Sequence, residues 1–212
     1  MVLTASLAIG YASGYRYNLG ERKIYKVSIV HFISDPQSTI YVNGLYVEKK
    51  TPKAIYLEPG RYNLELKQDG YNSFFISIHL KSGELFEKKD ITLFKKDITL
   101  QTASNQSAFN KIVDDSLVSP SNLVMIGGHE IWQNGKLVTR FSKNIYQVLY
   151  YTNQNYIVYQ NDDEIGAIRS DGTNNVKLVD YKYQNPVSIS FKNRGQTMVI
   201  SDGGNIMSAV IN

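Results

Sequence analysis

Short segments of alternating polar and apolar residues, separated by Gly, Asn and Pro, are the feature that most restricts how this chain folds. In "KVSIVHFIS" (26–34), odd-numbered positions form one face and even-numbered positions the other, which is the period of a β-strand. Asn43-Gly44 supplies the positive φ angles of a tight hairpin. Pro59-Gly60 divides "TPKAIYLEPGRYNLELKQDGY" in the same way and predicts a second hairpin. Residues 24–100 therefore read as roughly seven short strands of an antiparallel β-sandwich.

Five short motifs occur in this stretch in a fixed order. They are Ser34-Asp35-Pro36, Tyr41-Val42-Asn43-Gly44, Thr51-Pro52, Pro59-Gly60-Arg61-Tyr62 and Gly70-Tyr71. In order and spacing they resemble a PEGA domain, a small β-sandwich of bacterial and archaeal surface proteins. These residues also have structural roles that do not depend on the family: Thr51-Pro52 ends one strand and starts the next because Pro cannot donate to a ladder, and Gly60 relieves a bend.

The C-terminal half contains a repeated pattern of strand, Gly/Asp/Asn turn and strand. "NLVMIGGHEIWQNGKLVTRF" aligns with "NYIVYQNDDEIGAIRSDGTNNVKLV" and with "QTMVISDGGNIMSAVIN". Ile165 and Ile206 are separated by about 41 residues, the length of a propeller blade. Phe191 to Gly195 and Asp171-Gly172-Thr173-Asn174 resemble the repeats of TolB-type β-propellers. The chain holds about two and a half such blades, and closed propellers usually have four or more. We expect either an open curved sheet or part of a longer chain.

These patterns predict an all-β protein: a small antiparallel PEGA-type β-sandwich followed by incomplete β-propeller-like blades. The predicted divisions are a membrane-proximal segment or truncated transmembrane helix at 1–23, the sandwich at 24–100, a linker at 101–119 and the blades at 120–212. Within the linker, Ala108 to Val113 has the composition of a short helix or strand, and Ser119-Pro120-Ser121 marks its end.

The N-terminal segment Val2–Ala12 is apolar and uncharged, and is about half the length of a ~20-residue spanning helix. It reads as a buried element of a soluble domain, as an interfacial segment, or as the outer half of a membrane helix. We favour the last interpretation, because an aromatic and basic collar typical of a membrane–water boundary follows it. The collar consists of Tyr11, Tyr15, Arg16, Tyr17, Arg22 and Lys23.

Few residues have the types and spacing that chemistry requires. The chain has no Cys, which excludes disulfides, Cys-ligated zinc and a Cys nucleophile. His31 and His79 lie within alternating strands, and His129 lies beside Glu130 after a Gly-Gly turn. "NDDE" (161–164) and "SDGTNN" (170–175) lack the ligand spacing of a helix–loop–helix calcium site and read as turns. We predict no catalytic residues, no metal and no cofactor, and name no binding residues.

The sequence contains 16 Tyr, a residue that suits half-buried strands and also contact surfaces. The net charge is +4, but Lys and Arg are scattered among acidic residues, so we predict no nucleic-acid binding. The expected function is that of a non-enzymatic, membrane-anchored envelope protein. It would bind protein or cell-wall glycan on the extracytoplasmic side of the cell membrane. The alternative is part of a propeller-containing hydrolase whose catalytic residues lie outside this chain.

Overall fold

The protein is described by a computed structural model that covers residues 2–20, 22–102, 122–151, 155–182, 185–203 and 205–212. Almost all regular structure in these ranges is β-strand. Among the described residues, one α-helix, α1 (Val2–Ala12), precedes the strands, and one 3₁₀ turn occupies Asn193–Gly195. The chain forms two compact units. The first comprises Met1–Asp69 and Ser73–Leu93, and the second comprises Gly70–Asn72 and Phe94–Asn212.

The first unit contains nine strands. They are β1 (Tyr15–Asn18), β2 (Lys23–Lys26), β3 (Ser28–Asp35), β4 (Thr39–Val42), β5 (Leu45–Lys50), β6 (Lys53–Leu57), β7 (Gly60–Lys67), β8 (Phe74–Leu80) and β9 (Leu85–Thr92). β1 and β2 form a separate two-stranded hairpin. The other seven strands, the number expected from the sequence, form a three-stranded sheet in the order β6-β3-β9 and a four-stranded sheet in the order β5-β4-β7-β8.

The first unit is sandwich-like, because both sheets contribute buried apolar side chains. Val30 and Phe32 on β3 are fully buried, as are Leu64 and Leu66 on β7. The predicted alternation of β3 is confirmed, with its even-numbered residues buried up to Phe32 and the odd-numbered residues between them partly exposed. At Asn43-Gly44 both φ angles are positive (50° and 80°), so the predicted tight turn joins β4 to β5.

Two features of this unit differ from the sequence-based expectation. Pro59-Gly60 does not close a hairpin, because β6 pairs with β3 in one sheet whereas β7 pairs with β4 and β8 in the other. The segment is a crossover between sheets. In addition, β3 and β9 pair in parallel, so the three-stranded sheet is mixed and not wholly antiparallel. Neither the crossover nor the parallel pairing can be read from neighbouring residues, because β6 and β9 both pair with β3, which is distant from them in sequence.

The second unit contains eleven described strands. They are β10 (Gln101–Thr102), β11 (Leu123–Ile126), β12 (Glu130–Gln133), β13 (Lys136–Arg140), β14 (Ile145–Tyr150), β15 (Tyr156–Asn161), β16 (Glu164–Arg169), β17 (Val176–Asp180), β18 (Ser188–Lys192), β19 (Thr197–Asp202) and β20 (Asn205–Val210). They form three antiparallel sheets in the orders β11-β12-β13, β14-β15-β16-β17 and β10-β20-β19-β18.

The middle sheet of the second unit has a hydrophobic core on each face. Tyr156 and Val158 belong to a cluster shared with residues of β18–β20, whereas Ile157 and Tyr159 belong to a cluster shared with residues of β11 and β12. Every residue of β15 is therefore buried. Burial on both faces explains why this strand reads as a nearly continuous apolar run and does not alternate.

The described residues form several small sheets, and they form neither a closed barrel nor a closed propeller. Gln101–Thr102, the first two residues of the predicted linker, are strand β10. The rest of that linker, with Ala108 to Val113 and Ser119-Pro120-Ser121, lies outside the described residues. Helix α1 has only 11 residues, and in the described ranges no helix has the length and apolarity needed to cross a bilayer.

Candidate functional site

The outer face of the four-stranded sheet in the first unit carries a row of aromatic side chains. Across the sheet, Tyr46 lies opposite Tyr41, Tyr41 opposite Glu65, and Glu65 opposite Phe75. Directly paired residues project to the same face of a sheet. Because the neighbouring residues of β4 and β7, such as Ile40, are buried, this row projects away from the core. We call these four residues the aromatic face.

Two rings of the aromatic face are exposed to solvent, and a charged pair lies beside the third ring. Tyr46 is 60% exposed and Phe75 is 58% exposed. The ring centroids of Tyr41 and Tyr46 are 5.8 Å apart. The Lys67 ammonium lies 4.6 Å from the Tyr41 ring centroid and 3.1 Å from the Glu65 carboxylate. Large aromatic rings held on a sheet offer contact area at low conformational cost, which suits them to binding.

A polar region borders the aromatic face towards the β4–β5 turn. The Asn63 backbone N–H donates to Asn43 Oδ1 (2.9 Å), and the Ser77 hydroxyl donates to Asn63 Oδ1 (2.7 Å). Farther along the same strands, Arg61 lies opposite His79. A shallow recess on this surface is lined by Arg61, Tyr62, Asn63, Ser77, Ile78 and His79. Amide, hydroxyl and guanidinium groups thus lie beside exposed rings, a combination able to bind a polar ligand or a peptide.

The three histidines lie apart, on different elements. His31 Nδ1 is 2.9 Å from Glu87 Oε1, and hydrogen bonds from Lys89 and then from His31 hold the pKa of Glu87 below its ordinary value. His79 lies in the recess described above. His129 Nδ1 is 3.0 Å from the Lys143 carbonyl oxygen, after the Gly127-Gly128 turn.

The two acidic segments lie in turns, where their carboxylates bind protein groups. In the β15–β16 turn, Asp162 accepts a hydrogen bond from the Tyr146 hydroxyl (2.5 Å), and Asp163 pairs with Lys143. In the β16–β17 turn, Asp171 accepts from the hydroxyl and the backbone N–H of Thr173. Among the residues that the structure describes, no group of three or more His, Asp or Glu side chains converges in a way that could hold a metal ion.

A charged cluster on the β11–β13 sheet was not predicted from the sequence. Glu130 accepts hydrogen bonds from the Trp132 indole N–H (2.7 Å) and from Arg140 Nε (2.7 Å). These donors, Trp132 first, lower the pKa of the Glu130 carboxyl. The exposed apolar residues Val124 and Leu137 lie opposite Trp132 on the two neighbouring strands. The cluster orients the Trp132 ring and satisfies the Glu130 charge.

No binding residues were predicted from the sequence. The aromatic face can be recognised only once the register of the paired strands is known. A usable signal was present, because Tyr41 and Tyr46 flank the predicted Asn43-Gly44 turn and a tight turn pairs the residues that flank it. Phe75 could not be added in this way. Its place in the row depends on the pairing of β4 with β7 and of β7 with β8.

Comparison with known proteins identifies one family. The model of the PEGA domain matches residues 33–96. No curated protein matches the chain. The matched segment extends from within β3 to just beyond β9, so it contains the whole aromatic face and leaves the N-terminal hairpin outside. Residues 33–96 of this chain are thus similar to the PEGA domain, a family often found in surface or secreted proteins.

Proposed function

We propose that this protein is a non-enzymatic, membrane-anchored protein of the cell envelope. In this proposal, a PEGA-type sandwich and propeller-like blades are presented on the extracytoplasmic side, where they bind protein or cell-wall glycan. The single observation that carries it is the aromatic face, whose rings are exposed on the outer side of a sheet that is already packed on its inner side. Exposed aromatic side chains on one face of a sheet are typical of interaction surfaces.

The blade-like nature of the second unit is supported by its sheets. Strands β14, β15, β16 and β17 form an antiparallel meander in chain order, which is the arrangement of a propeller blade. The next sheet has three consecutive strands, and the earlier strand β10 completes it by pairing with β20. The three repeated segments of the sequence begin at β11, β15 and β19, and each of these strands forms a hairpin with the strand that follows it.

Binding through the aromatic face is tested with isolated cell walls, before and after protease treatment. We expect the purified chain to co-sediment with the walls, and Tyr46→Ser combined with Phe75→Ser to weaken that binding by at least about tenfold, because truncation of an aromatic anchor costs ~2 kcal/mol. Binding that survives protease treatment of the walls identifies a glycan ligand, and binding that is lost identifies a protein.

The matched control is Leu45→Ser. Leu45 is next to Tyr46 on β5 and is also exposed, but it lies opposite Val42 and therefore points to the other face of the sheet. We expect this variant to bind like the unaltered chain. If the double variant binds as well as the control, the aromatic face is not the contact surface and the proposal is wrong.

A further inference from the structure

The β1–β2 hairpin has two different faces. Arg16 lies opposite Tyr25, and these residues share one face. Tyr17 lies opposite Ile24 on the other face, together with Tyr15 and Lys26. Side chains of a strand alternate between its two faces, so when the first face packs against another element, the second face points away from that element.

The first face is held against the sandwich. The Tyr25 hydroxyl donates a hydrogen bond to Glu58 Oε1 (2.5 Å), beyond the end of β6. This hydrogen bond is the main reason that the pKa of Tyr25 is raised above its ordinary value. At the base of the hairpin, the Lys26 backbone N–H donates to the Ser82 hydroxyl (2.9 Å). An isolated two-stranded hairpin is marginally stable in water, so these contacts fix its orientation.

The second face and the hairpin tip are apolar and exposed. Tyr17 is 55% exposed and Ile24 is 73% exposed. Leu19, in the connection between β1 and β2, is 83% exposed. Large apolar side chains clustered at such exposure mark a surface that is covered by something else in the cell. We call Tyr15, Tyr17, Leu19 and Ile24 the apolar tip.

Positive charge lies close to the apolar tip in the sequence. Residues 13–27 contain four cationic side chains and one acidic side chain; the cations are Arg16, Arg22, Lys23 and Lys26, and the acid is Glu21. The Arg16 guanidinium lies 3.6 Å from the Tyr11 ring centroid and donates to the Tyr11 carbonyl oxygen (2.8 Å). Arg16 thereby joins the hairpin to the end of helix α1, whose residues carry no charge.

We propose that the hairpin binds the surface of an anionic phospholipid bilayer. Tyr17, Leu19 and Ile24 enter the headgroup region, and the surrounding Lys and Arg side chains bind lipid phosphates. Amphipathic aromatic rings partition to that region, and each nearby cation adds attraction to an anionic leaflet. A bilayer fits better than a protein partner, because the apolar tip, the cations and an uncharged helix are consecutive in the chain. This inference rests on the membrane attachment in the proposed function, and it names the segment and the lipid class.

The absence of Cys from the chain allows a direct test with one environment-sensitive fluorophore. The label is attached at Leu19→Cys, or at Leu45→Cys as an equally exposed control far along the sequence. The probes are vesicles of phosphatidylcholine alone and of phosphatidylcholine with phosphatidylglycerol. We expect a blue shift at position 19 on the anionic vesicles only, and no shift at position 45. An equal shift on both vesicle types overturns the role of anionic lipid.

Two sets of full-length variants separate the apolar and charge contributions. Tyr17→Ser with Ile24→Ser removes two of the four side chains of the apolar tip, and we expect it to abolish the blue shift of the label at position 19. Arg22→Gln with Lys26→Gln removes two cations and should weaken binding to anionic vesicles by about 25-fold, since each cation near such a surface contributes about fivefold. Unchanged vesicle affinity in both variants overturns the inference.

The two proposals fail in different ways. If the chain sediments with vesicles but the label at position 19 does not shift, the hairpin is not the contact and the membrane attachment in the proposed function stands. If the chain does not sediment with any vesicle, the inference about the hairpin fails, whereas binding through the aromatic face is decided separately by sedimentation with cell walls. The Tyr46→Ser and Phe75→Ser variant should bind vesicles normally, because the aromatic face is not part of the hairpin.

Discussion

At the scale of single residues, Gly166 is constrained by the ring that lies across it. Gly166 on β16 pairs with Tyr159 on β15, and a Cβ at position 166 would lie 2.3 Å from Tyr159 Oη and 2.4 Å from Cζ. Tyr159 is fully buried, and its ring packs against Phe141 with the ring centroids 4.5 Å apart. We expect Gly166→Ala to lower the free energy of unfolding in urea by about 1–3 kcal/mol, the usual cost of overpacking.

The same substitution at Gly10 is the control. A Cβ at Gly10 has no neighbour within 4 Å, and the residue lies in helix α1. Ala is about 1 kcal/mol more favourable than Gly within a helix, so Gly10→Ala should leave stability unchanged or slightly raised. Equal behaviour of the two variants would contradict the position assigned to the Tyr159 ring.

The Tyr159 hydroxyl makes stability depend on alkaline pH. It donates to Glu164 Oε1 or Asn175 Oδ1, each 2.9 Å away. Burial first, and then the Glu164 charge, raise the pKa of Tyr159 far above its ordinary value of 10.0. The unfolded chain therefore loses this proton near pH 10 while the folded chain retains it. The stabilising contribution is complete below pH 10 and is lost as the pH rises above it.

We predict that the free energy of unfolding falls more steeply with rising pH in the unaltered chain than in Tyr159→Phe. Between pH 9 and 11, the unfolding free energy of the unaltered chain should fall by about 1 kcal/mol more than that of Tyr159→Phe. Urea denaturation at a series of pH values measures both slopes. The other tyrosines are common to the two proteins, so their titration cancels in the comparison. Parallel curves would show that Tyr159 is not buried as described.

At the scale of elements, a buried hydroxyl network ties the segment before β4 to the segment before β6. The Thr51 hydroxyl oxygen accepts a hydrogen bond from the Ser38 backbone N–H (2.9 Å) and lies 2.6 Å from Ser34 Oγ. Ser38 and Thr51 are both buried. Thr51→Val preserves shape but leaves the Ser38 N–H without this acceptor, and should cost about 1–3 kcal/mol of unfolding free energy. Thr51→Ser, which keeps the oxygen, should cost less. The reverse order would contradict the network.

The positions of strands and turns could be predicted where they depend on a pattern of neighbouring residues. The alternation in β3 and the Asn43-Gly44 turn both follow from a few neighbouring residues, and both are observed. Sheet membership was not predictable in the same way. Pro59-Gly60 marks a change of direction, but the sequence does not reveal that the chain passes from one sheet to the other there. The aromatic face was missed for the same reason, because it is assembled by register across four strands.

At the scale of the whole molecule, the sequence predicted β-structure for residues 24–100 and 120–212, and the PEGA match covers most of the sandwich-like part. The repeats predicted short hairpins in the second unit. They did not reveal that β15 is buried on both faces, which results from packing between sheets. The segment 1–23 was predicted as one membrane-proximal element, whereas the structure divides it between helix α1 and the β1–β2 hairpin.

The most direct test of the central claim is the location of the full-length protein in its own cells. According to the proposed function, the protein acts by contact at the outer side of a membrane. Fractionation of those cells should recover the protein with the membranes, and protease added to intact cells should digest its β-units. A predominantly soluble cytosolic pool, or complete protection from the added protease, would contradict the account.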